Sequence, residues 1–133
     1  PIAPRLFDAP DRLFGCAEPE MIFWRDSAAW CPFCEMTWLL LETMQVPYRV
    51  RTVPLRRYML PGEQKDPEYI ALVGADGVVP GVQFRNGRAA AAAFGPAVQG
   101  VEHIFAEMRR RHPSRYPSGE DDTVRRRACE GEQ

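Results

Sequence analysis

Cys31-Pro32-Phe33-Cys34, and what lies on either side of it, constrains this chain more than any other feature. Met21 to Arg25 is a short apolar and aromatic run suited to a buried strand, and Asp26, Ser27, Ala28 and Ala29 follow as a loop. Behind the cysteines, Met36, Leu39, Leu40 and Met44 recur at helical spacing. Pro32 fits the first helical position, where its missing N–H would have no partner anyway. Tyr48 to Val53 is β-branched and alternating, with Val50 on one face and Arg49 and Arg51 on the other, which predicts a second strand. The cysteine pair therefore stands where a strand turns into a helix, inside a βαβ unit.

Further along, Pro67 to Val73 has a short helical pattern with Asp66 as its N-cap and Gly74 as its stop. Val82 and Phe84 alternate, Asn86-Gly87 is a strong hairpin signal, and Arg88 to Ala92 is expected to be the returning strand. A last helix is expected over Pro96 to Arg110, with Val98, Val101, Ile104, Phe105 and Met108 on one face. The order is βαβαββα, with no internal repeat. Residues 1–20 carry Pro1, Pro4, Pro10 and Pro19 and read as an extended arm, residues 21–110 as the folded domain, and residues 111–133 as a polar tail.

Composition matters chiefly for what it excludes. A formal net charge of -1 provides no basic field, so nucleic acid is not an expected partner. At 45% hydrophobic residues, 133 residues can build one core without a metal or disulfide staple. The longest apolar runs, Trp38 to Leu41 and Ala89 to Phe94, are far too short to span a bilayer, so no transmembrane segment is expected and the protein reads as soluble. The chain begins at Pro1, which leaves a preceding targeting segment open.

The paired cysteines have a specific chemistry at a helix start. The N–H groups and dipole there stabilise a thiolate on Cys31, lowering its pKa below the free-thiol value of about 8.5. Cys31 is the expected nucleophile, and Cys34, one turn deeper, can attack a mixed disulfide formed at Cys31 and release the reduced product. A zinc site normally has four ligands, and Cys16, Cys129, His103 and His112 supply no second close pair, so no metal is expected. Four cysteines are also too few for an extracellular disulfide scaffold. Cys16 and Cys129 read as incidental, and His103 as a packed or surface histidine.

Trp30-Cys31-Pro32-Phe33-Cys34 resembles the active-site motif of glutaredoxins. Asp66-Pro67-Glu68-Tyr69-Ile70, with Leu72, Gly77, Val79 and Pro80, resembles the second helix and cis-proline turn of the amino-terminal domain of glutathione transferases. Together these cover about residues 20 to 108. The resemblance implies a thioredoxin-like α/β fold, a central four-stranded mixed sheet flanked by helices. It also implies a cis Val79-Pro80 bond facing Cys31, with the Val79 backbone pairing with the cysteinyl part of glutathione and Trp30, Pro32 and Phe33 beside the substrate.

Two polar anchors of those families have no match. A lysine usually precedes the first cysteine by three residues, where this chain has Ala28. A Glu-Ser or Gln-Ser pair usually follows the hairpin to hold the γ-glutamyl group, and the matching positions read as Ala92 and Ala93. The sequence also lacks the all-helical second domain of a full glutathione transferase, and with it a hydrophobic-substrate pocket.

The expectation is a glutaredoxin-like thiol-disulfide oxidoreductase, with glutathione as co-substrate or protein disulfides as partners, in a reducing compartment such as the cytosol or plastid stroma. The competing expectation is a non-catalytic thioredoxin-fold subunit of a larger assembly, for instance a plastid complex, held through residues 1–20 and 109–133.

Overall fold

The computed structural model describes residues 9–54, 66–74, 76–87 and 93–117. Their elements are β1 (Met21–Asp26), α1 (Pro32–Met44), β2 (Tyr48–Val53), α2 (Pro67–Val73), β3 (Gly81–Arg85), β4 (Phe94–Gln99) and α3 (Val101–Arg111). The strands form one sheet in the order β2-β1-β3-β4. β1 runs parallel to β2, and β3 is antiparallel to both of its neighbours. Parallel neighbours need a crossover, and α1 supplies it. The fold is the thioredoxin-like βαβαββα arrangement.

The central position of β1 explains its composition. A strand covered on both faces reads as a continuous apolar run, and all six residues of β1 are buried. Its Phe23 and Trp24 share one hydrophobic cluster with Leu41, Met44, Tyr48, Tyr69, Val82, Ile104 and Met108. α1 turns Cys34, Thr37, Leu40, Leu41 and Met44 inward and ends at Gln45 in the left-handed region, φ 55°. Met36 and Leu39 share the helical spacing of Leu40 and Met44 yet face outward, with Leu39 69% exposed.

Two buried arginines rest on aromatic faces. Arg25 lies 4.7 Å above the Trp38 ring. Arg51, placed by alternation on the polar face of β2, is buried, pairs with Glu68 at 3.6 Å and lies 5.8 Å from the Trp24 ring. A guanidinium gives up less hydration than an ammonium and accepts an aromatic face as partner, so arginine can occupy such positions where lysine would not.

The second half of the hairpin differs from the sequence expectation. The expected strand at Arg88 to Ala92 lies outside the described residues, and the strand that pairs with β3 is Phe94–Gln99. The Asn86 N–H donates to the Ala93 carbonyl at 2.8 Å and closes the hairpin ahead of it. Pro96, expected in the last helix, stands in this strand. Between the pairs Gln83–Ala97 and Arg85–Phe94 the register shifts, so Gly95 and Pro96 together oppose Phe84. A proline without an N–H is tolerated in such a bulge on an edge strand. Gly100, at φ 84°, then turns the chain, and the last helix starts only at Val101 with Ile104 and Met108 buried. Val98 belongs to β4, not to the helix face.

Both flanks touch the domain. Arg12 and Tyr48 exchange backbone hydrogen bonds of 2.9 Å, which sets part of the N-terminal stretch against the free edge of β2. Residues 112–117, read as the start of a polar tail, fold back after α3. The buried Arg115 donates Nε to the Met44 carbonyl at 2.6 Å, and His112 Nε2 lies 3.2 Å from Glu20 Oε2. Cys16, read as incidental, is disulfide-bonded, with its partner outside the described residues.

Candidate active site

Cys31 is the N-cap of α1. Its backbone is extended, φ -76° and ψ 113°, and its Sγ accepts the Cys34 N–H at 3.3 Å, the bond that a serine or aspartate oxygen makes in an ordinary cap. The Cys31 carbonyl accepts the Glu35 N–H at 3.1 Å. Both thiols are free, Cys31 8% exposed and Cys34 1%. Burial, with the Cys31 sulfur beside it, pushes the Cys34 thiol well above the ordinary thiol range. The geometry thus separates an outer sulfur at a helix start from an inner one held as a neutral thiol.

Asp26 completes this corner. It is the last residue of β1 and wholly buried, and its Oδ2 accepts the N–H of Trp30 at 2.5 Å and of Cys31 at 3.3 Å. Those bonds hold the loop from Ser27 to Trp30 in the shape that delivers Cys31 to the helix. Asp26 Oδ1 is buried without a hydrogen-bond partner. Sequence reasoning placed Asp26 in the loop and assigned it no role, because a charged residue after an apolar run looks like the run's end. The available signal was an acidic side chain directly between a strand and a short loop into a helix, where it can reach exposed N–H groups.

The Val79-Pro80 bond is cis. Val79 belongs to the same buried cluster as Cys31 and Cys34. Its turn is held from two sides: Tyr69 Oη donates to the Val78 carbonyl at 2.6 Å, and Gln99 Nε2 donates to the same oxygen at 3.0 Å. Gly100 N–H reaches the Pro80 carbonyl at 3.3 Å. Among the described residues no hydrogen bond uses the Val79 backbone, so its N–H and C=O remain open to an extended ligand. β3 begins at Gly81, where a Cβ would collide with the Tyr69 hydroxyl. Trp30 and Phe33, 66% and 59% exposed, flank the outer thiol, and Pro32 between them is exposed as well.

Both cysteines and the cis proline, though not Asp26, Gln99 or Gly100, lie within one matched stretch of sequence. Residues 30–95 match the family model of the glutathione S-transferase N-terminal domain. The match to this glutathione S-transferase domain runs from Trp30 through both cysteines and the cis proline to Gly95 in β4. No curated protein and no solved structure gives a significant match.

The alanine positions expected to follow the hairpin stand before β4, not after it. Ala93 precedes β4, Ala92 lies outside the described residues, and the residues that actually follow the hairpin and open the last helix are Gln99 and Gly100. Gln99 carries a polar side chain at that place, and Gly100 carries none. α3 has no side-chain cap at Gly100, which leaves its first N–H groups without one. The displacement went unseen because the alanine run hides where the returning strand begins. Ala28, in the place of the expected lysine, is exposed and offers no charge.

Proposed function

We propose that this chain is a glutaredoxin-like thiol-disulfide oxidoreductase that works with glutathione. The observation that carries the reading is Cys31 as the N-cap of α1, with Cys34 buried one turn below it and donating its N–H to the Cys31 sulfur. In the cycle, the Cys31 thiolate attacks the glutathionyl sulfur of a protein–glutathione mixed disulfide. A Cys31–glutathione disulfide forms, and the protein thiolate leaves and takes up a proton. Cys34 then loses its proton and attacks the Cys31 sulfur, closing the Cys31–Cys34 disulfide and expelling glutathione. Two further glutathione molecules reduce that disulfide and become one oxidised glutathione, so electrons and atoms balance.

Glutathione would lie along the turn, its cysteinyl backbone on Val79 and its γ-glutamyl end at Gln99 and the start of α3. Without a lysine at position 28 or a hydroxyl at position 100, binding is expected to be weak, about 1 mM or roughly -4 kcal/mol. The test is reduction of a glutathione mixed disulfide by the reduced chain. Cys31→Ser should abolish it, and Cys34→Ser should spare it, because glutathione can resolve the intermediate in place of Cys34. The pair should titrate reversibly at roughly -200 to -230 mV. Full activity in Cys31→Ser would sink the reading.

A second reading, a non-catalytic subunit of a larger assembly, is favoured by one observation. Trp30, Phe33, Met36 and Leu39 are all exposed at the start and along the outer side of α1, and exposed apolar side chains grouped together mark interaction surfaces. It predicts co-purification with a partner that survives Cys31→Ser, together with no mixed-disulfide reduction by the wild type.

A further inference from the structure

We propose that the reduced site binds one zinc ion through the thiolates of Cys31 and Cys34 and the carboxylate of Asp26. One ligand atom from each of the three residues lies within 4.8 Å of the other two, and all three residues are buried. Zinc takes thiolate at about 2.3 Å and carboxylate at about 2.0 Å, which in a tetrahedron sets ligand atoms roughly 3.5 Å apart. The three side chains need to close by only about an ångström.

A second observation points to a cation independently of that spacing. Asp26 is 0% exposed and its Oδ1 has no hydrogen-bond partner. The neighbouring Arg25 does not relieve it, because Arg25 Nη1 donates to the Asp26 backbone carbonyl at 2.7 Å. A carboxylate oxygen taken out of water and left unbonded is costly, and a metal ion would satisfy it. The donor set selects the metal: two sulfurs with one oxygen suit zinc, whereas magnesium and calcium take oxygen alone.

Two of the ligands are oriented before any metal arrives. The Cys34 N–H holds the Cys31 sulfur, and the Trp30 and Cys31 N–H groups hold Asp26 Oδ2, leaving the other oxygen available. Three protein ligands leave a fourth position for water or an incoming thiolate. Binding forms two Zn–S bonds and one Zn–O bond and releases the thiol protons to solvent. No electrons move, and a Cys31–Cys34 disulfide cannot bind the ion. The inference needs both thiols reduced, and it does not rest on their cycling as a redox couple.

The reduced full chain, stripped of metal under argon, should be titrated with zinc against a chromophoric chelator. One zinc per chain is expected, lost when the disulfide is formed. Asp26→Asn keeps an acceptor for the two N–H groups but should weaken zinc at least about tenfold, since loss of even an outer partner of a ligand costs about 10-fold to 100-fold. Glu35→Gln, on the exposed side of the first helical turn, should leave zinc affinity unchanged. Should Asp26→Asn fail to fold, anomalous diffraction at the zinc edge from wild-type crystals decides, with the peak expected at bonding distance from Asp26 and both sulfurs. No zinc bound, equal affinity in Asp26→Asn, or a peak away from Asp26 would overturn the inference. Mixed-disulfide reduction by the metal-free chain is read separately. Exchange without zinc binding sinks only the zinc site, and zinc binding without exchange sinks only the oxidoreductase reading.

Discussion

Tyr69 reaches the cis-proline turn with a single hydroxyl, and its surroundings show how closely that contact is fitted. The ring lies 5.2 Å from Trp24, and the Oη–Val78 bond closes over Gly81, where no side chain fits. Tyr69→Phe should cost about 0.5–1.5 kcal/mol, the net worth of one hydrogen bond, because Gln99 still serves the Val78 carbonyl. Gly81→Ala should cost more, about 1–3 kcal/mol, since the hydroxyl and ring edge of a packed tyrosine must move. Urea unfolding of both variants checks the order, and an unperturbed Gly81→Ala would mean that the contact is looser than it looks. At the same scale, Gln99→Ala removes the polar side chain that follows the hairpin. It should weaken glutathione binding about threefold to tenfold, within the net worth of one hydrogen bond, as read by calorimetry.

Helix ends are where local sequence and stability meet most directly. Asp66 caps α2, its Oδ1 accepting the N–H of Glu68 at 3.1 Å and of Tyr69 at 3.2 Å, and the second of those bonds also sets the start of the residue that holds the turn. Asp66→Ala should therefore cost about 1 kcal/mol, the usual worth of an N-cap, in thermal or urea unfolding. The last turn of α3 makes the contrasting case. Glu107 accepts from Arg110, and from Arg111 at 2.8 Å, and the arginine contacts hold its carboxyl below the ordinary value. Because these groups face water, Glu107→Gln should change stability by less than about 1 kcal/mol, with whatever effect there is fading in salt. A larger loss would mean that the acid supports the docked residues beyond the helix.

Over the whole molecule, Tyr48 is the joint between the N-terminal stretch, the edge strand and the core. It bonds to Arg12 through the backbone, and its buried ring meets Phe14 and Phe23 at 6.4 and 6.1 Å. Burial, reinforced by the nearby Glu42 carboxylate, pushes its hydroxyl up to about 12. The folded value lies above the unfolded value of about 10, so the unfolded chain loses its proton first. Stability from this group is whole below pH 10 and drains away as pH rises towards 12. Denaturation midpoints measured across pH 8 to 12 should fall over that window, and Tyr48→Phe should flatten the fall; an equally steep loss in the variant would place the titration elsewhere. At this scale the division between sequence and structure is also plain. Adjacent residues determined β1, the start of α1, β2 and the capped α2, because periodicity, Pro32, Asp66 and Gly74 act within a turn or two of the elements they shape. The thiol pair and the importance of Pro80 were legible for the same reason, as short motifs. Tertiary structure alone decided where β4 begins, since its register with β3 is a pairing between distant residues and an alanine run carries no mark of it. It also decided that Met36 and Leu39 face out while Arg51 goes in, because periodicity names a face without saying what covers it. Asp26 shows the same limit at the site itself. Its residue type was in view from the start, but its place beside both sulfurs and its unpartnered oxygen come from burial under packed elements, and burial is a property of the assembled chain.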